Sequence, residues 1–520
     1  MSQSKPSLVL ITILPALALI PVLVKILTEI HSGGLHLLFE FFSASVHPSL
    51  HPVVIHNAWR GLQVTIATAL LSWIFSMLGG IILGLLSSNI FWKIFEAPPW
   101  QPILIRRLLA IPRSIHELIW GLLLLQLFGM STSIAIIAIC IPYSSLVARV
   151  LSDQIDSLDH RSLMALRQGG VAPLSALTTA LLPAMIPIIN SYGGYRLECA
   201  LRGATMLGVF GMGGIGTELQ LTLQSLEFKE MWTSLWMLGG VMFTLETILN
   251  WRRMSFRTSK KINGKLWISL VLMFTTIGIS WIWLQSLDIQ LIGSFIWHPI
   301  PLPTIIDIKY AIMELPWIDL ISSTLLITIL AAGIAIGTPP LGMMLFPNQL
   351  GQTIQKVLWA FLRLIPPPLS ALLLLLCTSP SLSVASLALG LHNLGVMGRL
   401  LNEGINQQSN NIYGAIKCIG SGDRLAWLHG HLCPQTKSYL AYAAYRADVL
   451  LRETAVVGVV GGAGLGWQLQ ESLSSFDWSQ VAVITTTFSL ITLVGESMSE
   501  KVRHYWLKPA NSSQKLLIQS

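Results

Sequence analysis

The sequence predicts an all-α polytopic membrane protein with about 12 transmembrane helices, arranged as two parallel six-helix repeats. Charged residues make up 11% of the chain, against roughly 25% in soluble domains. Apolar residues reach 53% and the mean hydropathy is +0.66. Stretches of about 20 apolar residues, enough to cross a hydrocarbon core of about 30 Å, recur along the chain. A sequence repeat at an offset of 250 residues divides these stretches into two halves.

The apolar stretches place six spans in each half. The first span is long for a signal-peptide core and lacks a clear small-residue cleavage site, so we expect a retained signal-anchor helix. The third span of each half is short and opens at proline, at Pro112 and at Pro366–Pro368. The predicted spans lie near 7–28, 61–88, 114–130, 133–150, 180–207 and 230–250 in the first half, and near 266–286, 318–345, 366–379, 382–401, 436–465 and 479–497 in the second.

Lys and Arg residues fall in alternate segments between the spans. They occur between the second and third spans, between the fourth and fifth, at 251–265 and in the last segment. The other segments, such as 30–60 and 287–317, hold almost none. The positive-inside rule therefore predicts that both termini lie in the cytoplasm. It also explains the net charge of +8 without a nucleic-acid partner.

The cysteines and histidines predict no metal site, and the chain predicts no cofactor. The five cysteines lack CxxC spacing and clustering, which argues against a disulfide framework or a zinc site. The first outer segment has five histidines whose spacing fits no standard site, with Glu40 as the only nearby acid. No stretch matches GxxxxGK[ST], so the chain has no P-loop for ATP. The five histidines are His31, His36, His47, His51 and His56.

The repeat is clearest in two segments, "YRLECALRGATMLGVFGMGGIG" (Tyr195–Gly216) and "YRADVLLRETAVVGVVGGAGLG" (Tyr445–Gly466). We call each of them the opening motif. The same offset pairs Gly170 with Gly420, while the alignment near Pro112 and Pro366 needs a small gap. These matches indicate a tandem duplication, with a first domain at 1–255, a basic cytoplasmic linker at 256–265 and a second domain at 266–520. An even number of spans per repeat keeps the copies parallel and predicts a pathway between them.

Each opening motif carries an acid and an arginine four residues apart, a spacing that lets them meet on one helix face. The pairs are Glu198 with Arg202 and Asp448 with Arg452, and Arg149/Asp153 and Arg399/Glu403 share the spacing. One acid faces two arginines in each motif, so Arg196 and Arg446 are predicted to be the unpaired ones. The arginines either snorkel or lock helices together, or they line a passage for an oxyanion. The candidate pathway residues are Arg196, Glu198, Arg202, Arg446, Asp448 and Arg452.

The glycine runs "GVFGMGGIG" and "GVVGGAGLG" look like dinucleotide-binding loops. That fingerprint requires a preceding strand in a βαβ unit, whereas an apolar helix precedes both runs. We therefore expect close helix packing or a bend of the backbone at these glycines.

With these motifs, the sequence resembles the permease subunit of phosphonate-type ABC importers, two permease units being fused in one chain. The resemblance rests on the opening motif, on "LALGLHNLGVMGRLLNEGI" (Leu387–Ile405) with a weaker counterpart at 137–155, and on one further segment per half. That segment, Ala165–Pro183 in the first half and Ala415–Pro434 in the second, is similar to the one with which such permeases dock their ATPase, and we call it the docking segment. Met164 and Gly414 replace its usual opening glutamate, and the second copy has a one-residue insertion. Its candidate residues are Ala165, Arg167, Gly170 and Pro183, and Ala415, Lys417, Gly420 and Pro434.

The resemblance implies a transport subunit of the bacterial inner membrane rather than an enzyme. Such a subunit moves phosphonate or a related phosphorus oxyanion by alternating access. It binds two ABC ATPase copies at its cytoplasmic loops and receives its small anionic solute from an extracytoplasmic binding protein. Three alternatives stay open: an ABC permease for phosphate, phosphite or an amino acid; a secondary transporter with parallel repeats, driven by an ion gradient; and a regulatory or assembly subunit.

Overall fold

The computed structural model describes residues 6–258, 263–286, 303–406, 408 and 411–507, and all regular structure in these ranges is helical. The predicted all-α class is confirmed. The helices begin with α1 (Pro6–Ile13), α2 (Leu19–Glu29), α3 (Gly34–Ala44), α4 (Pro52–Leu86), α5 (Asn89–Ile94), α6 (Trp100–Ser114), α7 (Glu117–Phe128), α8 (Thr132–Ser157), α9 (Arg161–Gln168), α10 (Pro173–Ala176), α11 (Leu182–Val209), α12 (Ile215–Gln224) and α13 (Phe228–Thr258). They continue with α14 (Asn263–Ser286), α15 (Ile305–Glu314), α16 (Trp317–Leu345), α17 (Gln349–Leu364), α18 (Pro367–Leu375), α19 (Leu382–Asn406), α20 (Asn411–Cys418), α21 (Asp423–Trp427), α22 (Cys433–Gly461), α23 (Gly464–Ser474) and α24 (Trp478–Leu507).

Within the described ranges, seven helical segments are long and apolar enough to cross a membrane, or nine if each of two bent pairs is one span. The remaining predicted spans, near 230–250, 266–286 and 436–465, lie on helices α13, α14 and α22. Helix α22 is less apolar because it carries the charged residues of the second opening motif. The seven segments are Val9–Glu29, Pro52–Leu86, Thr132–Ser157, Pro173–Asn190, Trp317–Leu345, Leu382–Asn406 and Trp478–Arg503.

The third predicted span of each half is the second limb of a bent helix pair. Helices α6 and α7 meet at 79°, and α17 and α18 meet at 90°. The connecting residues Ile115 and Ile365 are extended, and they lie 250 positions apart. The breaks therefore align at the common offset, and the gap that we predicted near Pro112 and Pro366 is not needed. The first limbs, α6 and α17, were missed as helices.

Contacts divide the chain into two compact units, Met1–Glu40 with Pro303–Ser520, and Phe41–Leu302. In the first unit, the N-terminal helix packs against α16, with Val9 and Val22 in the same core cluster as Ile327. Gly337 of α16 lies so close to the short 3₁₀ turn between α1 and α2 that a Cβ there would overlap the backbone of that turn. A residue without a side chain at this contact allows the two helical segments to approach closely.

In the second unit, α14 packs against α4. Leu284 is fully buried in one cluster with Val64, Ala67 and Leu71. The first span of each predicted repeat thus lies in the unit that contains the rest of the other repeat. Residues 259–262 of the predicted linker lie outside the described residues.

Candidate functional site: the charged helix and the docking segment of each repeat

The second opening motif lies on α22 and holds a buried network of charged and polar groups. The Arg446 guanidinium donates through Nε to Asn393 Oδ1 and through Nη2 to Glu453 Oε1, at 3.1 Å in the second case. Asn393 Nδ2 donates to Glu453 Oε2 at 2.8 Å, which closes the triangle. All three side chains are buried. Such a network is stable only when each polar group has its partner.

Arg446 therefore has a carboxylate partner, and our prediction that it is unpaired is wrong. The partner, Glu453, lies seven residues after Arg446, which is two turns along the same face of α22. The repeat pattern does not mark Glu453, because it aligns with Gly203 in the first repeat. A search for acids at helical spacing within one repeat would have found it.

Asp448 and Arg452 form an ion pair on α22, as their spacing predicts. The side chains are 3% and 10% exposed, so this pair lies in the protein interior. The corresponding pair of the first repeat, Glu198 with Arg202 at 2.6 Å, is only partly buried. The two other predicted pairs also form, with Arg149 Nε 3.0 Å from Asp153 Oδ2 and Arg399 Nε 2.6 Å from Glu403 Oε1.

In the first repeat, Arg196 of α11 is buried among tyrosines. Its Nε donates to Tyr192 Oη at 2.7 Å, and its guanidinium carbon lies 5.1–5.8 Å from the ring centroids of Tyr143, Tyr192 and Tyr195. Aromatic faces attract a guanidinium through their quadrupoles. Arg196 therefore has partners, and our prediction that it is unpaired is wrong here also.

The glycine runs form the predicted bends, at the turns that lead into α12 and α23. Gly214 and Gly464 have φ angles of 91° and 74°, which glycine adopts without strain. The next backbone N–H in each turn donates to a threonine hydroxyl: Ile215 N lies 2.8 Å from Thr65 Oγ1, and Leu465 N lies 2.9 Å from Thr324 Oγ1. The same glycine turn and threonine hydrogen bond occur in both repeats, which supports the duplication. These glycines therefore serve the packing of helices.

The docking segment of the first repeat is a helix, a glycine turn and a second helix. Helix α9 ends at Gln168, and Gly170 follows with a φ of 80°. Arg167 fixes the turn by donating to Val171 O at 3.0 Å and to Glu96 Oε1 at 3.1 Å. A surface groove of about 590 Å³ lies along this segment, lined by Ser162, Ala165, Leu166, Gly169, Val171, Thr179 and Ala180.

The docking segment of the second repeat has the same turn, held by different contacts. Gly420 has a φ of 83°, and Lys417 pairs with Asp423 across the turn. Lys417 Nζ donates a hydrogen bond to the Asp423 carboxylate, and this bond raises the pKa of Lys417. Helix α21 has five residues where α10 has four, and a five-residue π-helical turn follows each, so the extra residue lies in α21. Pro183 and Pro434 then lie in the first turn of α11 and α22, where proline is tolerated.

An aromatic cluster packs the second docking segment internally. The His431 ring stacks on the Tyr413 ring with centroids 4.8 Å apart, and it packs edge-to-face with the Trp427 ring with centroids 4.3 Å apart. His431 is buried, and this burial lowers its pKa from the ordinary 6.5. The neutral ring is therefore the form that the folded segment holds.

We expect the second docking segment to lose stability in acid because of His431. The unfolded chain binds the proton near pH 6.5 and the folded chain only at lower pH, so stability falls as the pH drops below 6.5. The unfolding temperature of the detergent-purified chain should fall by roughly 2 °C or more between about pH 7.5 and 5.5. His431→Phe, which keeps the stacking, should flatten this fall, whereas His429→Phe should retain it. Equal slopes in both variants would contradict the assignment.

Helices of membrane-spanning length, with a charged helix and a glycine turn repeated in each half, define a multi-pass membrane protein built from a repeated unit. No family model matches the chain. The phosphate-import permease protein PhnE of Mycolicibacterium smegmatis is 20% identical over 419 residues, 76% of this chain and 77% of its own length. This match is longer than one 250-residue repeat, as expected for two fused permease units.

Two shorter matches agree. The putative phosphite transport system permease protein HtxE of Stutzerimonas stutzeri is 29% identical over 157 residues, 30% of this chain and 60% of its own length. The putative cryptic phosphonate transport system permease protein PhnE2 of Escherichia coli is 28% identical over 94 residues, 18% of this chain and 77% of its own length. The curated relatives are thus permease proteins of phosphate, phosphite and phosphonate transport, and the resemblance that the sequence predicts is confirmed.

Proposed function

We propose that this chain is the membrane-spanning permease of an ABC importer for phosphonate or a related phosphorus oxyanion, phosphite and phosphate being the nearest alternatives. Translocation proceeds by alternating access, and a separate ATPase supplies the energy. The observation that carries the proposal is the duplicated opening motif, whose acid and arginine side chains lie on α11 and α22 in a chain related to permeases named for these three anions.

The charged side chains suit such a cargo. A guanidinium presents N–H donors in a planar fork that matches the oxygens of a phosphonate. Arg202 and Glu198 of the first repeat are 18% and 16% exposed, so they keep some access to solvent or solute. Arg452, Arg446 and Arg196 are more deeply buried and support the helices that face the pathway.

The docking segments are the proposed ATPase contacts. One ATPase copy binds each segment in the cytoplasm, at the turns around Gly170 and Gly420. The groove along the first segment offers a concave receptor for a helix or loop of that partner. An extracytoplasmic binding protein delivers the solute on the opposite side of a bacterial inner membrane, and both chain termini face the cytoplasm.

Uptake by cells tests the proposal. A bacterial host without its own phosphate, phosphite and phosphonate uptake would express this chain together with an ABC ATPase and an extracytoplasmic binding protein from the organism that makes it. We expect uptake of labelled methylphosphonate, phosphite or phosphate that requires all three proteins and stops when ATP is depleted. Uptake that persists without the ATPase and collapses with the ion gradient would establish the secondary transporter instead. Uptake of an amino acid alone would refute the cargo.

A further inference from the structure

The two repeats hold a carboxylate at the same place in the fold but supply it from different sequence positions. Glu453 of α22 aligns with Gly203 of α11 at the 250-residue offset, so the first repeat lacks this acid in its sequence. A Cβ built on Gly203 would lie 3.4 Å from Glu117 Oε1. Glu117, the first residue of α7, thus brings its carboxylate to the space beside position 203, and it aligns with Pro367 in the second repeat.

The hydrogen-bond donor to this carboxylate comes from the same position in both repeats. Tyr143 of α8 aligns with Asn393 of α19. Tyr143 Oη donates to Glu117 Oε1 at 3.1 Å, and Asn393 Nδ2 donates to Glu453 Oε2 at 2.8 Å. One donor is a phenol hydroxyl and the other an amide, yet each is buried and each donates to the carboxylate of its own repeat, Glu117 or Glu453.

A histidine and a proline are exchanged between the same elements. His116 caps the start of α7, and its Nε2 lies 3.4 Å from Glu117 Oε2; the second repeat has Pro366 there. Conversely, Pro142 of α8 aligns with His392 of α19. His392 Nδ1 lies 3.1 Å from the carbonyl oxygen of Ile365, which is the residue before Pro366. Each repeat therefore keeps an imidazole at the break of its bent pair.

Each of these two acids is linked to a buried arginine of its own repeat, directly in the second repeat and through Tyr143 in the first. Arg446 donates directly to Glu453. In the first repeat, Tyr143 contacts both partners, since its hydroxyl donates to Glu117 and its ring centroid lies 5.2 Å from the Arg196 guanidinium carbon. Arginine does not lose its proton in proteins, so a buried guanidinium requires a nearby negative charge or strong acceptors.

We propose that Glu117 and Glu453 are equivalent positioning residues. Each balances the charge of the buried arginine in its repeat and connects the opening-motif helix to other helices of that repeat, α7 and α8 in one case and α19 in the other. In this way the two repeats keep the same internal charge although their sequences have diverged. The effect on transport rests on the proposed function, whereas the effect on folding does not.

Moving the acid within the first repeat tests this inference. Glu117→Ala removes the carboxylate, and Glu117→Ala with Gly203→Glu restores it from the position that the second repeat uses. A Cβ at Gly203 would make only ordinary contacts of 3.4–3.7 Å, and Glu117→Ala empties the adjacent space that the new carboxylate would occupy. Glu117→Ala with Gly203→Gln is the matched control, because it has nearly the same volume without the charge. Glu227→Ala removes an exposed acid and should match the unaltered chain.

The readouts are the unfolding temperature in detergent and uptake per amount of folded protein. Glu117→Ala should lower the unfolding temperature by about 5 °C or more and reduce uptake at least tenfold. Adding Gly203→Glu to Glu117→Ala should recover most of the unfolding temperature and most of the uptake. If Glu117→Ala alone fails to fold, adding Gly203→Glu should recover folded protein. Adding Gly203→Gln should recover neither. Equal recovery by Glu and Gln, or recovery by neither, would overturn the inference. Recovery of stability in a chain that imports no phosphorus oxyanion would refute the proposed function alone.

Discussion

Gly216→Ala should prevent the opening motif of the first repeat from packing, with a loss of about 3 kcal/mol or more in the free energy of unfolding. Gly216 lies in the first turn of α12, where that helix crosses α11. A Cβ there would overlap Thr205 O and lie 2.6 Å from Val209 N. Both contacts are to backbone atoms of a helix, so a side-chain rotation cannot relieve them. Little folded protein should reach the membrane.

The second repeat provides a replicate, and α13 provides a control. A Cβ on Gly466 would lie 2.6 Å from Ala455 O, so Gly466→Ala should also be poorly folded. Gly240 lies within α13 and has nothing within 4 Å of an added Cβ. Gly240→Ala should be neutral or stabilising by up to about 1 kcal/mol, because alanine is the better helix former. A Gly216→Ala protein that unfolds at the normal temperature would contradict the close packing of α11 and α12.

Breaking the Asp448–Arg452 pair from one side should cost about 3–5 kcal/mol. Arg452→Met leaves the Asp448 carboxylate, 3% exposed, in the interior without this guanidinium. Asp448→Asn removes the carboxylate that faces Arg452. In the double variant Asp448→Leu with Arg452→Met neither charge remains, so most of the stability should return. Detergent unfolding and the amount of folded protein in the membrane measure these effects.

Uptake by the stable double variant decides between the two roles of the arginines. If Arg452 serves solute passage, uptake should stay at least tenfold below normal although the protein is folded. If the pair only locks α22, uptake should return together with stability. The control is the Arg399–Glu403 pair, whose acid is 43% exposed, and whose single substitutions should cost less than about 1 kcal/mol. Large losses in this control would show that burial does not set the cost.

Local and periodic features of the structure were readable from the sequence. The helical class, the duplication and the ion pairs four residues apart follow from hydropathy, from identical letters at a fixed offset and from the helical repeat. The glycine bends near Gly214 and Gly464 follow from residue type. Features that depend on contacts between helices distant in sequence could not be predicted from the sequence. The first limbs α6 and α17 were missed, and so were the partners of Arg196 and Arg446.

The sequence by itself determined that this chain is a duplicated helical membrane protein and a relative of oxyanion permeases. Only the tertiary structure decided that the first span of each repeat packs in the opposite unit, and that Glu117 and Glu453 reach one equivalent place from different helices. The physical reason is that helix formation and membrane burial depend on residues close in sequence, whereas the neutralisation of a buried charge depends on distance in space. An acid can therefore occupy different sequence positions in the two repeats, 117 and 453, while its carboxylate stays linked to the arginine at the equivalent position, Arg196 or Arg446.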